Sequence, residues 1–387
     1  MTMKLKLLLS LILFGVLFNC ESDENTDILN QRDTKVYDLG SVSDPAITGF
    51  ATFIENTNGT VTIELELSNT IEGEMHPAHL HFNTAAETGA IALTLGTVSG
   101  ISGKSTVTVS ALDDGTPIDY NTLRNFDGYI NVHQSESDLN TLVAQGDIGQ
   151  NDLTGEVKFY NLSEVDLSGI SGTANFFERN NGEALAVLEL QGTIVGTSYL
   201  ANLRENDVVT TGSITFTFND VNGETGLSIT NLSNLDGTTE FFGFDDLLEY
   251  NGHINIQEPD NTMAIVATTN IGSNEGVFIP QTISYDVTNV DDTAYIFNGN
   301  GLMDAQNPNL TFIRGNTYIL NLNVTGEPFY IKTIQGNGIA DSYNDGVSGN
   351  GNETGTLEFI VPDNAPDNLF YNSEFSSTMT GSISITN

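Results

Sequence analysis

The 387-residue sequence predicts an all-β protein, three tandem antiparallel β-sandwiches behind an N-terminal export segment. Three observations predict it. From Lys35 onward, short apolar/polar alternations are punctuated by Gly, Asn, Asp and Ser, and no helical period lasts beyond one or two turns. The pattern that opens at Lys35 returns about 123 residues later. The first twenty residues run from basic to apolar and end in the single cysteine of the chain.

That N-terminal stretch comes first. Met3-Lys-Leu-Lys6 is a short basic segment, and residues 7–18 form an apolar run too short to span a bilayer comfortably. Leu17-Phe-Asn-Cys20 resembles the lipobox of bacterial lipoproteins, which implies lipidation of Cys20 and a signal peptide over 1–19. Residues 20–34 form an acidic flexible tether whose opening, Glu21-Ser-Asp-Glu-Asn25, resembles the export signals of surface lipoproteins. One cysteine allows no intramolecular disulfide. The balance of 11 Lys+Arg against 51 Asp+Glu, a net charge of -40, removes nucleic acid and anionic membrane surfaces as partners, because both need basic patches.

Three β units are expected to follow, over 35–151, 152–274 and 275–387. In Thr60-Val-Thr-Ile-Glu-Leu-Glu-Leu67, Val61, Ile63, Leu65 and Leu67 share one face, and Asn56-Thr-Asn-Gly59 supplies a preceding hairpin turn. The second unit copies the first: Lys35, Tyr37, Leu39, Gly49, Phe53 and Gly59 recur as Lys158, Tyr160, Leu162, Gly172, Phe176 and Gly182. A duplicated domain is the reading.

The chemistry-bearing residues gather in Met75-His-Pro-Ala-His-Leu-His-Phe-Asn83 and in Gly128-Tyr-Ile-Asn-Val-His133. His79 and His81, at i and i+2 on a strand, project from one face, and His133 is expected to arrive from a neighbouring strand. Two readings stay open. The imidazoles bond to backbone and neighbours for structural reasons, or His79, His81 and His133, supported by His76, hold one Cu or Zn ion. In the second unit these four positions carry Asn202, Arg204, Gln257 and Tyr199, so the histidines are lost as a set. His253 stands alone and reads as structural. Asp113-Asp-Gly-Thr116 and Asn219-Asp-Val-Asn-Gly-Glu224 read as solvated acidic turns. No nucleophile elbow, P-loop, dinucleotide fingerprint or HExxH run is present, and no enzyme activity is expected.

The His79-Leu-His81 strand and the closing Gly128-Tyr-Ile-Asn-Val-His133 segment resemble CHRD (chordin-type) domains, through about 35–151 and in degenerate form through 152–274. The family's usual run after the last histidine is replaced by residues 135–149. The resemblance implies secreted β modules and names no activity. The His76-x-x-His79-x-His81 spacing also resembles the copper-ligand strand of Cu/Zn superoxide dismutases, but no histidine lies between His81 and His133 to bridge a second metal. From about Glu275 the chain resembles a cupredoxin. Glu327, Ser373 and Ser376 stand at three of the family's ligand positions and only Met379 is kept, which implies no blue copper.

The expectation is a lipid-anchored protein of the bacterial outer membrane, surface-exposed, acting as a non-catalytic binding or adhesion module for an extracellular protein or glycan. The alternative is a mononuclear Cu- or Zn-binding protein, and a third is a structural spacer.

Overall fold

The computed structural model describes residues 32–43, 47–259 and 264–387. The signal peptide, Cys20 and most of the acidic tether lie outside the described residues. What is described is almost entirely β, in three successive units, each with its own hydrophobic core.

The first unit contains β1 (Thr34–Ser41), β2 (Thr48–Glu55), β3 (Val61–Ser68), β4 (Met75–Phe82), β5 (Ile91–Ser99), β6 (Lys104–Val109), a short α1 (Tyr120–Arg124), β7 (Asp127–Ser135) and β8 (Asp138–Gly149). Its strands run in the order β5-β4-β7-β8-β1-β2-β3-β6. β1 pairs with β2 from Thr34 to Leu39, then with β8 through Gly40 and Ser41. That change of partner folds the sheet into two layers. Their facing sides bury Tyr37, Phe53, Ile63 and Leu65 against Leu80, Ile130, Val132 and Ile148. Burial of this kind contributes about 1.5–3 kcal/mol for each large apolar side chain.

The second unit repeats the plan with β9 (Leu153–Glu164), β10 (Ser171–Arg179), β11 (Ala184–Gln191), β12 (Ser198–Glu205), β13 (Ile214–Thr217), β14 (Val221–Asn222), β15 (Leu227–Leu232), α2 (Phe244–Glu249), β16 (Asn251–Gln257) and β17 (Ile265–Gly272). The order β13-β12-β16-β17-β9-β10-β11-β15 is that of the first unit, with the place of β5 shared between β13 and β14. The same close approach recurs as well. A Cβ on Gly49 would stand 2.0 Å from the Glu66 carbonyl oxygen, and one on Gly172 would stand 2.0 Å from that of Glu189. The two units differ on the outer face of β9–β10–β11–β15. There Leu185, Val187, Leu227 and Ile229 replace Thr62, Glu64, Lys104 and Thr106, and Phe159 is 61% exposed.

The junctions are clamped. Lys35 Nζ lies 2.7 Å from Asp152, just past the end of its own unit, and Lys158 Nζ lies 2.6 Å from Glu275 in the same relation. Each ammonium also sits about 5 Å over a tyrosine ring, 5.1 Å for Tyr37 and 5.0 Å for Tyr160. Between the first two units the fully buried Arg179 adds a stronger contact. Its guanidinium donates to Asp147 of β8 at 2.7 Å, to the Asn151 carbonyl and to Asn231 at 2.8 Å.

The third unit is a two-layer sandwich. Strands Leu302–Gln306, Ala294–Gly299, Thr282–Val290, Thr317–Asn323, Thr354–Ile360 and Val347–Ser348 form one sheet in that order. Leu310–Ile313, Thr380–Thr386, Asn368–Ser373 and Phe329–Lys332 form the other. Two of its pairings are parallel, Thr282–Thr288 with Thr317–Asn323 and Leu310–Ile313 with Ile383–Thr386, so this unit is mixed where the first two are antiparallel. Its core is aromatic, with Phe329 and Tyr371 stacked at 5.4 Å and Phe312 on Tyr318 at 3.7 Å.

Candidate metal centre

Strand alternation decides which histidines meet. On β4, Ala78 and Leu80 enter the core, so His79 and His81 face the other way. On β7, Ile130 and Val132 enter the core, so Tyr129, Asn131 and His133 share the outer face with them. The two strands pair His79 with Asn131 and His81 with Tyr129, which sets His133 diagonally from His79. His79 Nδ1 and His133 Nε2 are 3.1 Å apart, and one ligand atom from each of His79, His81 and His133 lies within 4.8 Å of the others.

The orientation of His81 is fixed from behind. Its Nδ1 lies 2.9 Å from the Gly89 carbonyl oxygen, which can only accept, so Nδ1 donates there, and in the neutral ring the lone pair falls on Nε2. Nε2 is buried and has no hydrogen-bond partner. The ring stacks on Tyr129 at 4.9 Å and 19°, and the Tyr129 hydroxyl in turn accepts the Gly89 N–H at 3.1 Å. Gly89 has to be glycine, since a Cβ would stand 1.9 Å from the Phe82 carbonyl oxygen. This carbonyl-to-imidazole support is the kind that orients metal-binding histidines.

Burial is the main cause that lowers the pKa values of His79 and His133 below the ordinary histidine value; the neighbouring imidazoles add to it. Asp113 opposes the shift at His79 and the Leu139 carbonyl opposes it at His133. Both rings are therefore neutral at pH 7, as a metal ligand must be.

His76 does not join the group. On β4 it shares the face of Ala78 and Leu80, so it points inward and is fully buried. Its Nδ1 donates to the carbonyls of His133 and Gln134 at 3.2 and 3.0 Å, and its Nε2 lies 3.6 Å from Glu74. Its support for the site runs through the backbone that carries His133.

The second unit keeps the scaffold and changes the chemistry. Asn202 and Gln257 stand where His79 and His133 stand and are hydrogen-bonded at 3.0 Å. Arg204, in place of His81, donates to the Gly212 carbonyl at 3.1 Å, as His81 does to Gly89. His253 is fully buried and satisfied at both nitrogens, by the Asn206 carbonyl at 2.8 Å and Thr211 at 3.1 Å. In the third unit Ser373 donates to the Glu327 carboxylate and accepts the N–H groups of Phe375 and Ser376. Ser376 donates to the Asp292 carbonyl at 2.6 Å, and Met379 is buried. Those positions form a closed polar knot with no nitrogen or thiolate ligand. The carboxylates and amides of the acidic turns are engaged by protein donors: Asp113 accepts from Thr94 of β5, Asp114 from the Thr116 N–H, and Asn222 from the N–H groups of Glu224 and Thr225.

Motif reading singled out the histidines and missed Gly89, Tyr129 and Asp147. Tyr129 carried a signal, because it lies four residues before His133 and so on the same strand face.

No family model matches this chain, and no curated protein matches it. Among solved structures it is similar to the BSP domain of a biofilm-associated protein, at 10% identity over 94% of this chain and 68% of that one, with a TM-score of 0.18. A multi-copper oxidase from Pseudomonas thermotolerans is 11% identical over 87% and 98% of the two chains, with a TM-score of 0.16. The multicopper oxidase of Campylobacter jejuni, a metallo-oxidase, is 10% identical over 88% and 90%, also with a TM-score of 0.16. Likenesses at TM-scores this low carry no argument about activity.

Proposed function

We propose that the first unit binds a single transition-metal ion, Zn²⁺ or copper, on His79, His81 and His133. The observation that carries this reading is the buried, unpartnered Nε2 of His81, in a group of three imidazoles whose ligand atoms lie within 4.8 Å of one another. A neutral imidazole set suits these two metals, and three protein ligands leave a fourth position for water or another ligand. His81 would be held by Gly89 and Tyr129, and His133 by His76. The proposal places this module in a lipid-anchored protein of the bacterial outer membrane, on the strength of the Cys20 motif and the acidic segment that follows. The CHRD-type resemblance of the His79-Leu-His81 and Gly128-to-His133 segments is compatible with that setting.

A second reading, a binding or adhesion module for an extracellular protein or glycan, is favoured by the exposed apolar residues on the outer face of the second unit. The test of the first reading is titration of the full chain with Zn²⁺ and Cu²⁺, beside a His79→Ala/His81→Ala variant. About one equivalent bound tightly and lost in the variant is the expected result. Absence of binding, or binding that the substitutions leave unchanged, overturns it and leaves the second reading.

A further inference from the structure

The loop that holds His81 is anchored at two points, and both lead to the second unit. The Ala85 N–H donates to Asp147 Oδ1 at 2.8 Å, and Asp147 Oδ2 receives Arg179 at 2.7 Å. Asn151 donates to the Asn83 carbonyl at 3.1 Å, and the Asn151 carbonyl receives the same guanidinium. Between these anchors and Gly89 the loop is a tight turn, with the N–H groups of Glu87 and Thr88 both on the Thr84 carbonyl. Asp147 also pairs directly across the strands with Tyr129, the residue stacked on His81.

The second unit supplies the comparison. Its loop is tied in the same way, the Val208 N–H donating to Asn270 Oδ1 at 2.9 Å, but the anchor is an amide with no arginine on it. A neutral amide is therefore enough to tie the loop. The carboxylate at 147 is the feature that needs a further explanation, and Arg179 provides it, since a guanidinium buried as completely as this one requires a charged partner.

We infer that Arg179 is a positioning residue for the metal centre: through Asp147 and Asn151 it fixes the loop whose Gly89 carbonyl orients His81, so that the second unit sets the metal affinity of the first. This rests on the metal-binding reading above. The unit that lacks the histidines then has a role at them.

The experiment is Zn²⁺ titration of the full chain and of the Arg179→Gln, Ala85→Pro and doubly substituted chains. Each is also examined metal-free by NMR for the His81 Nδ1–H proton. Ala85 follows Thr84 in a turn, a place where proline is favoured, so Ala85→Pro removes the N–H to Asp147 and leaves the Arg179 contacts standing. Each single variant is expected to bind Zn²⁺ about 10-fold more weakly, as outer contacts to ligand histidines do. The double variant should be no weaker than the worse single one, because the two act in one chain of contacts. The His81 Nδ1–H should exchange faster with water in both.

Wild-type affinity and an unchanged His81 proton in a folded Arg179→Gln chain overturn the inference, and so do losses that simply add. Should that variant not fold, Arg179→Met keeps the apolar stem while removing the donors to Asp147 and Asn151, and the same outcomes decide. An unmodified chain that binds no metal refutes the metal reading alone. The His81 proton, unchanged or faster, then still decides whether Arg179 positions it.

Discussion

If the histidines are the whole chemical difference between the two repeats, the second unit should accept a site. The perturbation is Asn202→His/Arg204→His/Gln257→His in the full chain. The geometry is already close. Asn202 and Gln257 meet at 3.0 Å where His79 and His133 meet at 3.1 Å, and tetrahedral Zn²⁺ with bonds of about 2.0–2.1 Å needs nitrogens about 3.3 Å apart. The Gly212 carbonyl, which now accepts from Arg204, stands ready to take an imidazole N–H as Gly89 does. What the second unit lacks is the stacked tyrosine, because His253 pairs with Arg204 where Tyr129 pairs with His81. The grafted site should therefore be about 10-fold weaker than the natural one or worse. Calorimetric titration should give two equivalents of Zn²⁺ in place of one. At free metal 100 times its dissociation constant the second unit should gain about 2.7 kcal/mol of stability. A graft that folds and still binds one equivalent, in a chain whose first unit binds one, refutes the claim that the scaffolds are equivalent.

Two further outcomes are expected. Because burial holds His79 and His133 below the ordinary histidine value, the folded chain resists protons that the unfolded chain accepts. The stability they contribute is therefore present above about pH 6.5 and is lost as the pH falls below it. Urea melts from pH 7.5 to 5.5 should show a steeper loss in the metal-free wild type than in His79→Gln/His133→Gln; equal slopes count against it. Ala at Gly49 or at Gly172 should cost at least about 1–3 kcal/mol, since its Cβ would stand 2.0 Å from a carbonyl oxygen across the strand pair. Hydrogen exchange should show the damage confined to the substituted unit, and a loss spread evenly over both would contradict separate cores.

Much of this was legible in one dimension. Alternation in residues 60–67 reports a half-buried strand directly, and the spacing of His79 and His81 places them on one face. Since Lys35 and Lys158 head matching patterns, the duplicated strand order also follows from the sequence. The inward turn of His76 was legible as well, because it shares the parity of Ala78 and Leu80 and not that of His79 and His81, whereas the register shift of β4 against β5 is encoded in no local pattern. Gly89 gave no sign, since its need to be glycine arises from the approach of Phe82. The parallel pairs of the third unit escaped because alternation does not tell a strand the direction of its neighbour. Asp147 and Arg179 escaped for a different reason: one carboxylate among 51 acidic residues has no distinguishing context until the other unit folds onto it.

The way each repeat closes has a mechanical consequence. Gly40 lies opposite Gln145 and Ser163 opposite Thr268, so in both repeats the first and last strands are antiparallel neighbours. The chain accordingly enters and leaves at the same end, where Lys35–Asp152 and Lys158–Glu275 tie the two ends together. Tension along the chain would load those two ion pairs first and then peel strands away one hydrogen bond at a time, never shearing a whole ladder at once. For a molecule pulled by its ends, the first two repeats would act as yielding links that lengthen under modest force, and at the first junction the buried Arg179 contacts would hold longer than the lysine pair.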